Sequence, residues 1–221
     1  MKIVSWNCNG KFREKYKELL KLDCDVYIIQ ECENPILTKN KDYEKFASNF
    51  VYIEHSKYKG LGIFAKNNIK LKNNNWNSYG LECFCSVNIN DIYDVIGVWC
   101  CGNYIEDYYV WQEIYKNKFH KNTIIFGDFN SNSIWDNLHD KRNHTQVVLN
   151  LNELGFDSIY HYLKKEKQGK ETMPTFFQYR HLDKPYHIDY CFAYPSLIKS
   201  FKILDINYLK FSDHLPILIE I

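Results

Sequence analysis

The stretch KIVSWNCNGKFREKYKELLKLDCDVYIIQ, residues 2–30, decides the fold class. Its first five residues, Lys2–Trp6, form a short β-prone apolar run, and polar Asn7, Asn9 and Gly10 end it. Over 11–22, Phe12, Tyr16, Leu19 and Leu20 recur at i, i+4, i+7 and i+8, which predicts one apolar face of a helix. Asp25–Gln30 is again almost continuously apolar, the pattern of a strand buried on both faces. Strand, amphipathic helix and buried strand make a βαβ-like opening.

Working outward, the middle of the chain is richer in hairpins. Gly60–Lys66, Leu81–Ile89 and Ile92–Trp99 read as strands, with Asn90-Asp91 as a turn between the last two. Glu106–Phe119 reads as a helix with Tyr109, Trp111, Ile114, Tyr115 and Phe119 on its apolar side. Thr123–Phe126 is a strand that stops at Gly127, and Val147–Leu154 is a short helix ended by Gly155. The last third returns to strands at Thr175–Tyr179, Ile188–Ala193, Phe201–Tyr208 and Leu215–Ile221. Lysine-rich Tyr160–Pro174 reads as an exposed loop. Hairpins with flanking helices predict an α/β sandwich of mixed sheets.

Composition supports a folded, sheet-rich chain. Of 221 residues 45% are hydrophobic and 17% aromatic, and such side chains favour strands and thick cores. A single domain over 1–221 is expected, because one α/β core accommodates that length. Lys plus Arg is 28 and Asp plus Glu is 27, a net charge of +1, which excludes a polycationic DNA coat and an acidic tail protein. No apolar run approaches the ~18 residues of a membrane span, and the N-terminus does not read as a signal peptide, so a cytoplasmic protein is expected. The eight cysteines include no CxxC pair and read as buried thiols rather than a zinc ribbon.

Five apolar strands end in polar clusters. Trp6 leads into Asn7 and Asn9; Ile29 into Gln30-Glu31; Phe126 into Gly127-Asp128-Phe129-Asn130; Ile188 sits between His187 and Asp189; and Ser212-Asp213-His214 precedes the final strand. A single Asp after a strand is an ordinary turn residue, but five such ends on one scaffold suggest loops gathered for chemistry.

The ordered set Ser5-Trp6-Asn7-Cys8-Asn9-Gly10, Ile29-Gln30-Glu31, Gly127-Asp128-Phe129-Asn130, His187-Ile188-Asp189-Tyr190 and Ser212-Asp213-His214-Leu215-Pro216 resembles the endonuclease/exonuclease/phosphatase superfamily. That group includes exonuclease III, apurinic endonucleases, deoxyribonuclease I, deadenylases, sphingomyelinases and inositol polyphosphate phosphatases. The resemblance spans residues 5–216 and implies a four-layer α/β sandwich, two mixed sheets packed face to face between helices.

Phosphodiester hydrolysis makes sense of these residue types. The attacked group is an anion that gains charge, and a hard cation such as Mg²⁺ neutralises it while needing only one or two carboxylates. By resemblance, Glu31 is the central ligand for Mg²⁺, with Mn²⁺ as a substitute, and Asn7 and Asp213 lie in or near its shell. Asp128 is then the base that activates water, Asn130 holds the phosphate or that water, and His214 donates to a phosphoryl oxygen with Asp189 orienting its ring. Asn9, His187 and Asn143 are candidate substrate contacts. Asn9 stands where some apurinic endonucleases carry Asp, so a second metal ligand there is neutral and weaker. His187 is often Arg in nuclease relatives; an exposed neutral imidazole and a phosphate contact both remain open. Asn143 reads equally well as a helix cap, and Lys164, Lys165, Lys167 and Lys170 could line a nucleic-acid backbone but read more simply as a solvated loop. After Val98, where relatives place a Tyr or a His, the chain reads Trp99-Cys100-Cys101-Gly102-Asn103-Tyr104.

The leading expectation is a metal-dependent nuclease of DNA repair, of the exonuclease III or apurinic-endonuclease type, with DNA as substrate and no membrane partner. A phosphatase or phosphodiesterase on a small molecule or phospholipid headgroup, or an RNA-directed nuclease, would use the same core chemistry. A non-catalytic binding module would tolerate broken motifs, whereas here the Glu, both Asp loops and the His are all present.

Overall fold

The computed structural model describes residues 1–221. The opening is as the pattern predicts: β1 (Lys2–Asn7), α1 (Phe12–Leu20) and β2 (Val26–Cys32), with β1 and β2 parallel. Then follow α2 (Lys41–Phe46), β3 (Phe50–Ser56), β4 (Lys59–Ala65), β5 (Leu71–Asn73), β6 (Phe84–Ile89), β7 (Tyr93–Trp99), α3 (Ile105–Tyr115) and β8 (Thr123–Asp128). The remainder is α4 (His144–Glu153), β9 (Asp157–Ser158), α5 (Ile159–Lys164), β10 (Phe176–Phe177), β11 (Pro185–Tyr186), β12 (Asp189–Ala193), β13 (Ser200–Ile203) and β14 (Ile217–Glu220). Two six-stranded mixed sheets result, ordered β13-β14-β1-β2-β4-β3 and β5-β6-β7-β8-β12-β9, while β10 and β11 form a small ribbon.

Alternation along the strands builds four layers. Ile3, Val26 and Ile28 point inward to one core that also holds Val95, Trp99, Ile124 and Phe126 of the second sheet. Their neighbours Val4, Trp6, Tyr27 and Ile29 point outward beneath Phe12, Tyr16, Leu19 and Tyr43 of α1 and α2. Ile96, Val98 and Ile125 likewise meet Tyr108, Trp111 and Val147 of α3 and α4 on the far side of the second sheet. Strands covered on both faces must be apolar at nearly every position, which is why β1, β2 and β8 read as continuous runs.

Several elements differ from the sequence reading. The buried side of α3 is Ile105, Tyr108, Trp111 and Tyr115, while Ile114 is exposed and Tyr109 only partly covered. That helix ends at Tyr115 and tightens into a 3₁₀ turn at 116–118, and Trp111 and Tyr115, four residues apart on one face, both pack on Trp76. In α1, Leu20 is exposed rather than on the apolar face. Only Phe176–Phe177 of the expected strand Thr175–Tyr179 is extended, since Gln178–Arg180 turns. Ser200–Ile203 is likewise shorter than the expected Phe201–Tyr208, whose second half is a 3₁₀ turn at Ile206–Lys210.

The expected exposed loop Tyr160–Pro174 is in part an anchored element. Its first residues belong to α5, Tyr160 is buried, and its hydroxyl donates to Glu166 Oε2 at 2.6 Å. Glu171 accepts from His161 Nε2 and from the Gly169 amide, at 3.0 and 2.9 Å. Its lysines do lie in solvent. No helix of the chain is long and apolar enough to cross a membrane.

The topology decides where the polar strand ends meet. Parallel β1 and β2 finish at the same edge of the first sheet, at Asn7 and Gln30. Antiparallel β8 and β12 place Asp128 directly opposite Asp189 in the second. The segment entering β14 runs antiparallel to β1, so Asp213 and His214 arrive beside the end of β1.

Candidate active site

Asn7 is buried at the end of β1, and its side chain works in both directions. Its Nδ2 donates to Glu31 Oε1 at 3.2 Å and to Asp128 Oδ2 at 2.9 Å, while its Oδ1 accepts the Asn9 amide at 3.0 Å. Trp6 fixes the strand end by donating Nε1 to the His214 carbonyl at 2.9 Å.

Glu31 reaches Asn7 because β2 carries an irregularity there. The register against β4 shifts between Gln30 and Cys32, and Glu31 has φ of 59°. A bulge of this kind inserts one residue and re-aims its side chain, here away from the sheet and toward the cleft. The other Glu31 oxygen pairs with the Lys59 ammonium at the start of β4.

Asp128 is wholly buried at the end of β8. Gly127 before it cannot be replaced without a clash, since a Cβ there would lie 2.0 Å from the Val98 carbonyl oxygen of neighbouring β7. Asp128 Oδ1 accepts the Asn130 amide at 2.8 Å, and Oδ2 accepts Asn130 Nδ2 at 3.1 Å. Asn130 turns through φ of 45°, a left-handed conformation that Asn tolerates better than most side chains.

His214 stands between two carboxylates. Its Nδ1 lies 3.1 and 3.0 Å from the two oxygens of Asp189, and its Nε2 lies 4.0 Å from Asp128 Oδ2. Ser212 sets its backbone, its Oγ accepting the His214 amide at 3.1 Å and donating to the Asn7 carbonyl at 2.7 Å. Thr175 Oγ1 accepts the Asp189 amide at 3.1 Å. Burial pushes the Asp128 carboxyl up to about 7 with help from Asp189, against His214 and Asn7. Burial alone would lower His214, but Asp189 and then Asp128 outweigh it and raise the imidazole to about 10. An imidazolium therefore persists at neutral pH between the two acids.

Asp213 joins the same rim through Asn9, whose Nδ2 donates to Asp213 Oδ1 at 3.0 Å. His187 and Asn143 have partners of their own. His187 is buried rather than exposed: its Nδ1 meets the Met173 carbonyl at 2.7 Å, its ring packs on Tyr160 and its Nε2 has no partner. Asn143 caps α4, with Oδ1 accepting the Gln146 amide at 2.9 Å and Nδ2 donating to the Asp140 carbonyl at 2.7 Å. Lys59, Ser212 and Thr175 went unnoticed as parts of the site. Ser212 lies inside a recognised motif, but a lysine at a hairpin and a threonine in a loop carry no pattern that sets them apart.

The sequence profile of the endonuclease/exonuclease/phosphatase family matches residues 4–214. The chain belongs to that family. Its fold is similar to an AP endonuclease from Archaeoglobus fulgidus, with TM-score 0.74 and 18% identity, covering 100% of this chain and 98% of that one. It is similar also to the 3'-5' exonuclease NExo from Neisseria meningitidis, with TM-score 0.69 and 19% identity, covering 100% and 99%. The endonuclease domain of TRAS1, a telomere-specific non-LTR retrotransposon, matches with TM-score 0.66 and 16% identity over 99% and 96%. No curated protein matches by sequence.

As an endonuclease/exonuclease/phosphatase family member the chain is a hydrolase of phosphoester bonds, and the donor chemistry suits a hard cation. Glu31 offers a partly exposed carboxylate edge, and that edge already attracts the ammonium of Lys59. The Asn7 amide and the Asp213 carboxylate on the same rim are oxygen donors, the type Mg²⁺ or Mn²⁺ prefers. Asp128, Asp189 and His214 also cluster tightly enough to hold an ion. The bifurcated bond that His214 Nδ1 donates to the two Asp189 oxygens and the raised imidazole suit proton handling better.

Proposed function

We propose that the protein is a divalent-metal-dependent phosphodiesterase acting on DNA. The observation that carries this reading is the single polar network Glu31–Asn7–Asp128, closed by His214 and Asp189, at the shared edge of both sheets. Glu31 would hold Mg²⁺ with Asn7 and Asp213 beside it. The ion would neutralise the phosphate and stabilise the leaving oxygen.

This chain's own groups do the rest. Asp128, fixed by Asn7 and Asn130, orients the attacking water and takes its proton, a task suited to a carboxyl whose pKa is raised toward neutrality. His214, kept cationic by Asp189, donates a hydrogen bond to a phosphoryl oxygen as charge builds there. Asn130 is within reach to hold that oxygen or the water, and Asn9 lines the approach. His187, buried with a free Nε2, would contact substrate only through a rearrangement of its pocket.

A polymeric substrate is favoured by what lies past Glu31. A cavity of about 490 Å³ is lined by Arg13, Lys39, Lys57 and exposed Tyr58 together with Glu14, Glu33 and Asn34. Cations with an exposed aromatic suit a phosphate backbone and a stacked base. The test offers abasic duplex, nicked duplex and single-stranded DNA with Mg²⁺ and with a chelator. Metal-dependent scission is expected. Cleavage of phosphorylated metabolites or lipid headgroups alone would overturn the DNA assignment, and no metal-dependent hydrolysis of any phosphoester would overturn the whole reading.

A further inference from the structure

A second cluster of ligating groups lies away from the catalytic carboxylates. His55 near the end of β3, Cys83 just before β6 and Cys101 just after β7 bring one nitrogen and two sulfurs within 4.8 Å of one another. Cys101 Sγ is 3.6 Å from His55 Nδ1. A tetrahedral ion with a metal–sulfur bond of about 2.3 Å and a metal–nitrogen bond of about 2.0–2.1 Å would set that edge at about 3.6 Å. Glu82 Oε2 lies 2.7 Å from the same nitrogen, on a side chain exposed enough to turn. Cys83 adopts φ of 64°, an unusual backbone for a cysteine, and is buried while Cys101 and His55 border solvent.

We propose that His55, Cys83 and Cys101, with Glu82 as fourth ligand, form a binding site for a thiophilic divalent cation, zinc foremost. Two sulfurs and an imidazole select a borderline-soft ion, whereas the oxygen-rich site at Glu31 selects a hard one, so the two sites need not compete. The thiol of Cys83 is held protonated by the neighbouring Cys101 thiol and by burial. Binding replaces two thiol protons, which pass to solvent, and the cation removes the repulsion that two adjacent thiolates would suffer.

Placement gives the ion a structural task. The β3–β4 hairpin belongs to the first sheet and carries Lys59, which meets Glu31; Cys83 and Cys101 flank β6 and β7 of the second. Cys100, next to Cys101, offers its carbonyl to Asn130 Nδ2 at 3.1 Å. A cation held here clamps the two sheets together along the rim of the cleft. None of its ligands touches the phosphoester-cleaving groups, so it stands or falls separately from the proposed activity.

The test uses the full chain, reduced, stripped with a chelator and titrated with Co²⁺ and then Zn²⁺. A thiolate-to-cobalt charge-transfer band should appear, saturate at one equivalent and vanish when Zn²⁺ displaces Co²⁺. Zn²⁺ should raise the melting temperature, since an ion bound only by the folded state stabilises it. Cys83→Ser, Cys101→Ser and surface-lying His55→Ala should each weaken binding by more than about tenfold. Asp128→Asn should leave the band intact. Absence of the band, a band that survives all three ligand variants, or a Cys83–Cys101 disulfide in place of a bound ion would each overturn the assignment.

Discussion

Asn7 and Asp128 end strands of different sheets, and one hydrogen bond of 2.9 Å from Asn7 Nδ2 to Asp128 Oδ2 joins them. The same nitrogen donates to Glu31, so a single amide fixes the spacing between the carboxylate proposed for the metal and the one proposed as base. Packing of two sheets face to face would leave that spacing soft. A buried amide with both donors committed makes it stiff, because an unmade bond there costs roughly 1–3 kcal/mol.

Asp128→Asn tests the base directly. The amide keeps the shape and can still pair with Asn130, but it cannot take a proton. The turnover rate with saturating metal should fall by about 10²–10⁴. Stability should fall by roughly 1–3 kcal/mol, since whichever way the amide turns its NH2 faces a donor, the Asn130 amide or Asn7 Nδ2, that Asp128 had accepted. Unchanged turnover, measured beside a thermal melt, would remove Asp128 from the mechanism.

The sequence showed the parts of this site that lie within motifs and missed those that act across the fold. Asn7, Glu31, Asp128, Asp189 and His214 each follow or precede an apolar run, so their places at strand ends were readable, and resemblance linked them. The bulge at Glu31 was not readable, because a register shift against β4 depends on where Gly60 lands and not on any local pattern. Lys59 is a hairpin lysine until the fold carries it to Glu31. The α3 face failed for a related reason: Tyr108 and Tyr109 have equal local propensity, and only Phe84 of β6 and Phe129 just after β8 chose Tyr108. Phe129, one residue past β8, packs from inside the catalytic loop itself.

His144 should make folding stability depend on mild acid. It is buried, with Nδ1 at 3.1 Å from Ser131 Oγ and Nε2 at 3.1 Å from Gln168 Oε1, and burial pushes its pKa down to about 4. An unfolded histidine titrates near ~6.5. As pH falls from about 6.5 to about 4, the unfolded chain takes up a proton that the folded chain refuses, so stability drops by on the order of 3 kcal/mol. Below about 4 both states are protonated and this slope ends. Urea midpoints compared between the natural chain and His144→Gln should differ in slope over that window. Parallel profiles would show that His144 is not held neutral.

Gly127→Ala should damage the fold rather than the chemistry. The added Cβ would meet the Val98 carbonyl oxygen at 2.0 Å, and both partners are backbone in the central strand pair β7–β8. Neither can yield without breaking ladder bonds, so the cost should exceed the ~1–3 kcal/mol typical of an overpacked core. A melting temperature lowered by at least several degrees, or insoluble protein, is expected. A variant that melts like the natural chain would mean that the strands separate there easily.

Lys59→Met asks what the ammonium on Glu31 does. Paired as it is with Oε2, Lys59 occupies the carboxylate edge to which a metal would bind, yet its side chain is 42% exposed and free to swing away. Methionine keeps the aliphatic stem and removes the charge. Two unit charges about 4 Å apart in water repel by roughly 1 kcal/mol and Mg²⁺ carries two, so the Mg²⁺ concentration for half-maximal activity should fall by about 5- to 30-fold, the lower figure if Lys59 swings partly away. The Mg²⁺ dependence of the initial rate reads this out. If the metal requirement is unchanged while kcat/KM for DNA drops, Lys59 leaves Glu31 to meet the substrate phosphate, and its pairing in the free protein merely parks it. If Mg²⁺ is needed at higher concentration instead, the ammonium is helping to position Glu31 rather than competing for it.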